Sequence, residues 1–395
     1  MSGPVRLLYA VTAPVSALIF LRGQLSYMAA QGYEVHLVCA DTPDGEVAAM
    51  CANELTTFHP LHISRRPSPR SDLSAFVDIH HVIREVRPSV LIAGTPKMSL
   101  LALTAALLAR VPDRVYLCHG LRHEGYSGGH RAALRGFEWA MCAVATDVVA
   151  VSASVADGLT PPPWRRRHLA VLGAGSPNGV DIDRFRVPSP PDKTRARQTY
   201  SLNETDCVVT FVGRLTRDKG LDTLVHLAER LAQLDDVRLL LVGPTEGVDA
   251  ADRAAIESLT SNPLVTYRAH ERSMQHVYWA TDVLVLPTRR EGLPTVVLEA
   301  GACAVPTVAY SATGTVDAIV HDRTGVLVMQ GDKVAFGRAV EQLLTDRPRR
   351  AALGAAAHAH VVGHFASSTV WTAWATFVHG IRKRRRARSL HRAAE

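Results

Sequence analysis

The sequence predicts an α/β protein of two domains, each built on a parallel β-sheet, and three observations carry that prediction. Short β-branched runs alternate with longer stretches of helical period along the chain. The alternation stops in a segment rich in Gly, Pro, Ser and Asp near the middle and then restarts. The length of 395 residues, 47% hydrophobic and 21% charged, is ordinary for a globular chain of that size, which excludes disorder, collagen and coiled coil.

In chain order, strands are expected at Val5–Val11, Glu34–Ala40, Val90–Ala93, Arg114–Cys118, Asp147–Val151 and His168–Leu172. Helical text lies between them at about 15–31, 72–87, 97–110 and 130–145, the second with Leu73, Phe76, Val77, His80, Val82, Ile83 and Val86 near one face. These units make a first domain over residues 1–172. Residues 173–192 read as a linker, where Pro188, Pro190 and Pro191 forbid a continuous helix. A second domain over 193–365 restarts with strands at Cys207–Val212, Val237–Val242, Leu264–Arg268, Val283–Leu286, Thr307–Ala309 and Gly325–Val328. Both halves share one grammar without sequence repetition, so the simplest architecture is two Rossmann-like domains facing across a cleft. A helical stripe over 366–381 and a basic tail over 382–395 complete the chain.

Several function classes fall away early. The apolar stretches Leu7–Leu21 and Leu100–Val111 are interrupted by polar residues and fall short of the roughly 20 residues a bilayer span requires, so no transmembrane helix is expected. Residues 1–21 lack a small-residue cleavage site and are not read as a signal peptide. Six cysteines with no C-x-x-C read as reduced core residues, implying a cytoplasmic chain. Of the net charge of +7, seven cations between Arg382 and Arg392 against Glu395 leave +6 on the tail and +1 on the body, so no nucleic-acid surface is expected. The tail is either solvated or a peripheral contact with anionic lipid, at about 1 kcal/mol per cation near the surface. No G-x-G-x-x-G follows either first strand, and no histidine spacing resembles a zinc site, so neither cofactor nor metal is expected.

The chemistry concentrates in two segments. In Phe211-Val-Gly-Arg-Leu-Thr-Arg-Asp-Lys-Gly220 a strand ends at Gly213 and a helix starts after Gly220, with Arg214 and Lys219 bracketing the turn. Ligands of parallel sheets bind beyond the carboxyl ends of the strands, so these cations either reach one phosphate group from two sides or are exposed loop charges. In Leu284–Gly301, Glu291 and Glu299 form an E-x7-E pair, and Pro294 suits a first helical turn. The amides of Gly292, Leu293 and Thr295 would lie at a helix N-terminus carrying about half a positive charge, where phosphate fits. Glu299 then suits neutral hydroxyls such as those of a ribose and Glu291 a sugar; the alternative is an ordinary solvated helix start.

These segments, in this order, strongly resemble the nucleotide-sugar domain of the family-four glycosyltransferases of the GT-B fold, as do Val305–Val308, Gly314–Asp317, Gly325–Val328 and Gly175–Phe185. The resemblance implies that Arg214 and Lys219 bind the donor diphosphate without an obligatory metal. It also implies that Glu299 holds the ribose and that Glu291, with the backbone of Gly213, Gly292, Leu293 and Thr295, holds the donor. The base falls near Arg268 to His270, where Ala269 and His270 replace a glycine common in relatives; uracil is the family expectation. The last helix is expected to cross back to the N-terminal domain.

The N-terminal half is similar to a narrower branch, the enzymes that extend sugars on polyprenyl diphosphate in bacterial polysaccharide assembly. Its matching segments are Phe20–Gln24, Ser64–Leu73, Gly94–Lys97 and Leu117–Arg122. Their loops supply Arg65, Arg66, Lys97 and Arg122 for an acceptor with its own diphosphate, the alternative being solubility charge. His119 matches the family's active-site histidine segment and is expected at the donor sugar or its leaving oxygen, with His123 and Glu124 toward the acceptor hydroxyl. The implied reaction is retaining hexosyl or N-acetylhexosaminyl transfer from a nucleotide-sugar co-substrate, through His119, Arg214, Lys219 and Glu291. The rivals are transfer to a soluble natural-product scaffold and a sugar-nucleotide epimerase or binder.

Overall fold

The computed structural model describes residues 5–63, 68–245 and 250–394. It divides into two compact units: one runs to Gly179 and includes the segment from Ser367 onward, and the other spans Val180–Ala366.

The first unit carries seven parallel strands: β1 (Val5–Ala10), β2 (Tyr33–Cys39), β3 (Thr57–Pro60), β4 (Val90–Gly94), β5 (Asp113–Cys118), β6 (Asp147–Ala150) and β7 (Leu169–Val171). Their order is β3-β2-β1-β4-β5-β6-β7. The second unit holds β8 (Cys207–Val212), β9 (Val237–Val242), β10 (Val265–Arg268), β11 (Val283–Leu286), β12 (Thr307–Tyr310) and β13 (Gly325–Val328), ordered β10-β9-β8-β11-β12-β13. Helices cover both faces, which is why central strands such as Val237-Arg-Leu-Leu-Leu-Val242 are apolar almost throughout. In each sheet the chain reverses direction beside its first strand, between β1 and β4 and between β8 and β11. That is where an open α/β sheet leaves a crevice for ligands.

The structure corrects the sequence reading in four places. Strand β3 and the helix Glu46–Asn53 were not anticipated, being short and weakly patterned. The single helix expected over 15–31 is two, Pro14–Phe20 and Gln24–Ala30, parted at Gly23 with φ 78°. A Cβ there would sit 2.5 Å from the Trp371 ring, while the Glu54 carboxylate accepts from the amides of Gly23 and Ser26. Pro190 and Pro191 open the helix Pro190–Thr199 instead of preventing one; Ser189 and Asp192 form its capping box, so the prolines occupy positions that need no amide partner.

The final helix, Ser367–Ala394, continues unbroken through the basic run. Trp374, Val378 and Ile381 are buried, and the indole NH groups of Trp371 and Trp374 donate to Asn178 Oδ1 and the Pro177 carbonyl. The aromatic stripe is therefore packing within the first unit. Arg384 and Arg385 pair with Asp147 and Asp113 at the starts of β6 and β5. All six cysteines are free, and five are buried.

Candidate active site

In the second unit, the loops after β8 and β11 flank the reversal point and are stapled together by one residue. The Asp218 carbonyl accepts the Arg289 amide at 3.0 Å and the Thr288 hydroxyl at 3.3 Å. Its carboxylate accepts the Thr216 hydroxyl at 2.6 Å and an Arg214 NH at 3.4 Å, and lies 3.9 Å from Arg290. Burial pushes the Asp218 carboxyl up, but the Thr216 hydroxyl and the Arg214, Lys219 and Arg290 cations outweigh it and hold it below the usual range. Lys219 Nζ donates to Glu291 Oε1 at 2.6 Å.

The loops have no slack. Gly220 sits at φ 85°, and a Cβ there would fall 2.1 Å from the Pro287 carbonyl oxygen, backbone that cannot swing aside. Gly314, at φ 80° after β12, backs Gly292 in the same way, at 2.4 Å from its carbonyl oxygen. The Glu291 amide donates to the Thr313 carbonyl, fixing the β11 loop from its other side.

The helix after this loop spans Thr295–Ala302 with Pro294 as N-cap, so Pro294 lies one position before the helical turn expected for it. Thr295 opens the helix, whereas Gly292 and Leu293 precede it and Leu293 is buried. Glu299 projects from the second turn and accepts the hydroxyl of fully buried Tyr278 at 2.6 Å. Burial raises its carboxyl to about 7, against the opposing pull of that hydrogen bond and of Arg184. Arg268, the last residue of β10, and His270 beyond it are exposed.

This raised carboxyl has a consequence for stability. A glutamate whose proton is held more tightly in the folded state stabilises the fold fully below its unfolded value of about 4.5, and that contribution is lost as pH rises toward 7. Glu299→Gln should therefore be more stable than the parent at pH 8 and similar at pH 5. At 1.36 kcal/mol per unit the gain is up to about 3 kcal/mol. Urea unfolding at the two pH values checks it; equal differences at both would reject the assignment.

In the first unit, the reversal point is marked by strain. Thr95, a β-branched residue, holds φ 69° directly after β4, where its hydroxyl meets that of Thr12 at 2.8 Å and accepts the Thr12 amide. His119, after β5, packs its ring 4.9 Å from Phe20 and over Gly94, where a Cβ would come within 2.6 Å of Nε2. Burial drives His119 down to about 4, so it is neutral at pH 7.

Two residues expected at the acceptor have partners within the first unit. His123 is buried, its Nδ1 held at 2.7 Å by Glu138 of the helix Gly128–Val144, so it braces the Arg122–Gly125 turn. Lys97 is already paired with Asp72 rather than being a free loop cation. Arg122 is exposed. Arg65 and Arg66 lie outside the described residues. Sequence reasoning missed Asp218, Tyr278, Arg290 and Thr12 as parts of these clusters. Among the described residues no group of three His, Cys, Asp or Glu side chains is arranged to hold a metal.

Two Rossmann-like parallel sheets of this topology are the GT-B architecture of sugar-transferring enzymes, and comparison with known proteins agrees. A family model described as Glycosyltransferase Family 4 matches residues 20–184, and one described as Glycosyl transferases group 1 matches residues 192–360. The chain is 30% identical over 292 residues to the GDP-mannose-dependent alpha-(1-6)-phosphatidylinositol monomannoside mannosyltransferase of Mycobacterium tuberculosis, covering 70% of this chain and 74% of that one. It is 29% identical over 354 residues to the capsular polysaccharide biosynthesis glycosyltransferase CapM of Staphylococcus aureus, covering 89% and 91%. In fold it matches Anabaena HepE, solved with UDP and glucose, at a TM-score of 0.80 and 18% identity over 95% of this chain and 100% of that one. The chain belongs to the family-four glycosyltransferases.

Proposed function

We propose that the chain transfers a sugar from a UDP-linked donor, with retention of configuration, to a hydroxyl of a lipid-diphosphate-linked sugar. The observation that carries the donor half is the cluster of Arg214, Lys219 and Glu291 flanking the reversal point of the second sheet, stapled by Asp218. Departure of a nucleoside diphosphate builds negative charge on the leaving phosphate, and preorganised cations stabilise it without a metal. Glu299, on its Tyr278 support, accepts the ribose hydroxyls. UDP is favoured by the ligand of HepE, and polysaccharide assembly by the name of CapM. A GDP-mannose donor is the second reading, favoured by the mannosyltransferase relative.

The test is a mass-spectrometric donor screen with uridine, guanosine and thymidine sugars, with and without a short polyprenyl-diphosphate sugar, in buffer containing EDTA. Transfer to the lipid from a UDP-sugar, lost in Glu299→Ala, is expected. Transfer from GDP-mannose corrects the base, donor hydrolysis without lipid transfer points to a soluble acceptor, and epimer interconversion rejects transfer altogether.

His119 is assigned to the donor sugar as a neutral hydrogen-bonding group. Gly94→Ala places a methyl within 2.6 Å of its present Nε2 position and must shift the ring. A loss of at least tenfold in kcat/KM with an unchanged unfolding midpoint is expected, on the scale of a misplaced catalytic group; unaltered kinetics would remove His119 from the site. Peripheral association with an anionic membrane is assigned to the basic helix end. Among the described residues no helix is long and apolar enough to cross a membrane. Flotation with anionic vesicles should weaken when residues 382–395 are deleted, and unchanged flotation would reject the assignment.

A further inference from the structure

Arg290 lies between two residues with settled partners. Arg289 reaches Asp222 at 3.4 Å, and Glu291 holds Lys219 at 2.6 Å. Arg290 turns toward the carboxylate of Asp218 but stops 3.9 Å from it, beyond hydrogen-bond distance. Its Nε is shut off from solvent and meets no acceptor among the described residues.

Other arginines of this unit have partners for their terminal nitrogens. Arg230 grips Glu341 with both Nε and an NH2 group, and Arg197, whose Nε is likewise unmet, places its terminal nitrogens on two carbonyls and Asp282. A guanidinium N–H turned away from water without an acceptor is costly, and a packing role alone would be met better by an apolar side chain of similar length. Asp218 is shared by Arg214 at 3.4 Å and Arg290 at 3.9 Å, so one carboxylate lies before two guanidinium groups and saturates neither. Three cations, Arg214, Lys219 and Arg290, thus face two carboxylates, Asp218 and Glu291.

We propose that Arg290 is a third cation of the donor's diphosphate site, held ready by Asp218, and that phosphate oxygens take the place of that carboxylate before the Arg290 fork. A planar guanidinium matches the spacing of two phosphate oxygens, and the terminal nitrogen that faces Asp218 lies on the side the phosphate would take. Asp218 then has two tasks: its carbonyl fixes the β11 loop, and its carboxylate keeps two arginines from repelling one another before ligand arrives.

This inference rests on the donor reading above, and the test separates the two. Calorimetric titration of the full chain with UDP, GDP, uridine and guanosine is compared for the parent, Arg290→Gln and Arg290→Lys. The expected result is a ten- to hundredfold weaker nucleoside diphosphate affinity in Arg290→Gln, a smaller loss in Arg290→Lys, unchanged nucleoside binding and an unchanged unfolding midpoint without ligand. Diphosphate affinity within twofold of the parent in both variants overturns the role of Arg290 and leaves the donor reading intact. Equal losses for nucleoside and diphosphate also overturn it, because they mark a loop displacement instead of a phosphate contact. A parent chain that binds neither diphosphate overturns the donor reading, and the role of Arg290 with it.

Discussion

Lys219→Ala is expected to lower kcat/KM by two to three orders of magnitude, about 2.7 to 4 kcal/mol of transition-state stabilisation. Two effects add in this variant. The first is the loss of a preorganised cation beside the departing diphosphate. The second comes from Glu291, whose carboxylate lies 2.6 Å from Lys219 Nζ and is only 16% exposed. Without the lysine, that carboxylate confronts the diphosphate uncompensated, and like charges in a poorly solvated site repel strongly. The double variant Lys219→Ala/Glu291→Gln removes the repulsion along with the cation and should recover part of the loss. Steady-state kinetics of the parent, both single variants and the double variant close the cycle. A fall of less than fivefold in Lys219→Ala would show that the leaving group is stabilised elsewhere.

Much of this architecture was legible because parallel strands buried on both faces write themselves as continuous apolar runs, of which β8, β9 and β11 are clear cases. Arg214, Lys219 and Glu291 were legible for a related reason: they sit at fixed offsets from the ends of such strands, where ligands gather in this topology. What stayed hidden depends on partners distant in sequence. His123 looked available until Glu138, 15 residues on, enclosed it. Tyr278 carried no signal of its own in the sequence, and its hydroxyl meets Glu299, 21 residues on. Asp218 was one acid among many charges on its loop, and only the fold brings Thr288, Arg289 and Arg290 around it. The need for glycine at the split was unreadable because the ring that a Cβ there would strike, that of Trp371, lies at the other end of the chain.

Arg197→Ala is the substitution expected to cost most stability in the second unit. Arg197 is 4% exposed and donates to the carbonyls of Asn203 and Glu204 and, at 2.6 Å, to Asp282. Asp282 directly precedes β11 and also accepts Lys193 Nζ and the Val208 amide, both at 2.9 Å. The cluster thus ties the helix Pro190–Thr199 to the first residues of β8 and β11, the two strands whose far ends carry the donor loops. Removing one member of a buried ion pair costs about 3 to 5 kcal/mol when the surviving charge is left uncompensated, and Lys193, still 2.9 Å from Asp282, sets the cost here at the lower end, about 3 kcal/mol. For a unit of this size that is a fall of roughly 6 to 12 °C in its unfolding midpoint, at about 2 to 4 °C per kcal/mol. The charge left behind, more than the lost volume, sets the cost. Arg197→Met, which keeps most of the volume, should therefore remain nearly as destabilised as the alanine variant, whereas adding Asp282→Asn should restore a large part of the loss while preserving an acceptor for the Val208 amide. Scanning calorimetry of the three variants distinguishes the cases: if Arg197→Met alone recovered the parent's midpoint, packing and not the buried charge would be holding the helix against the sheet.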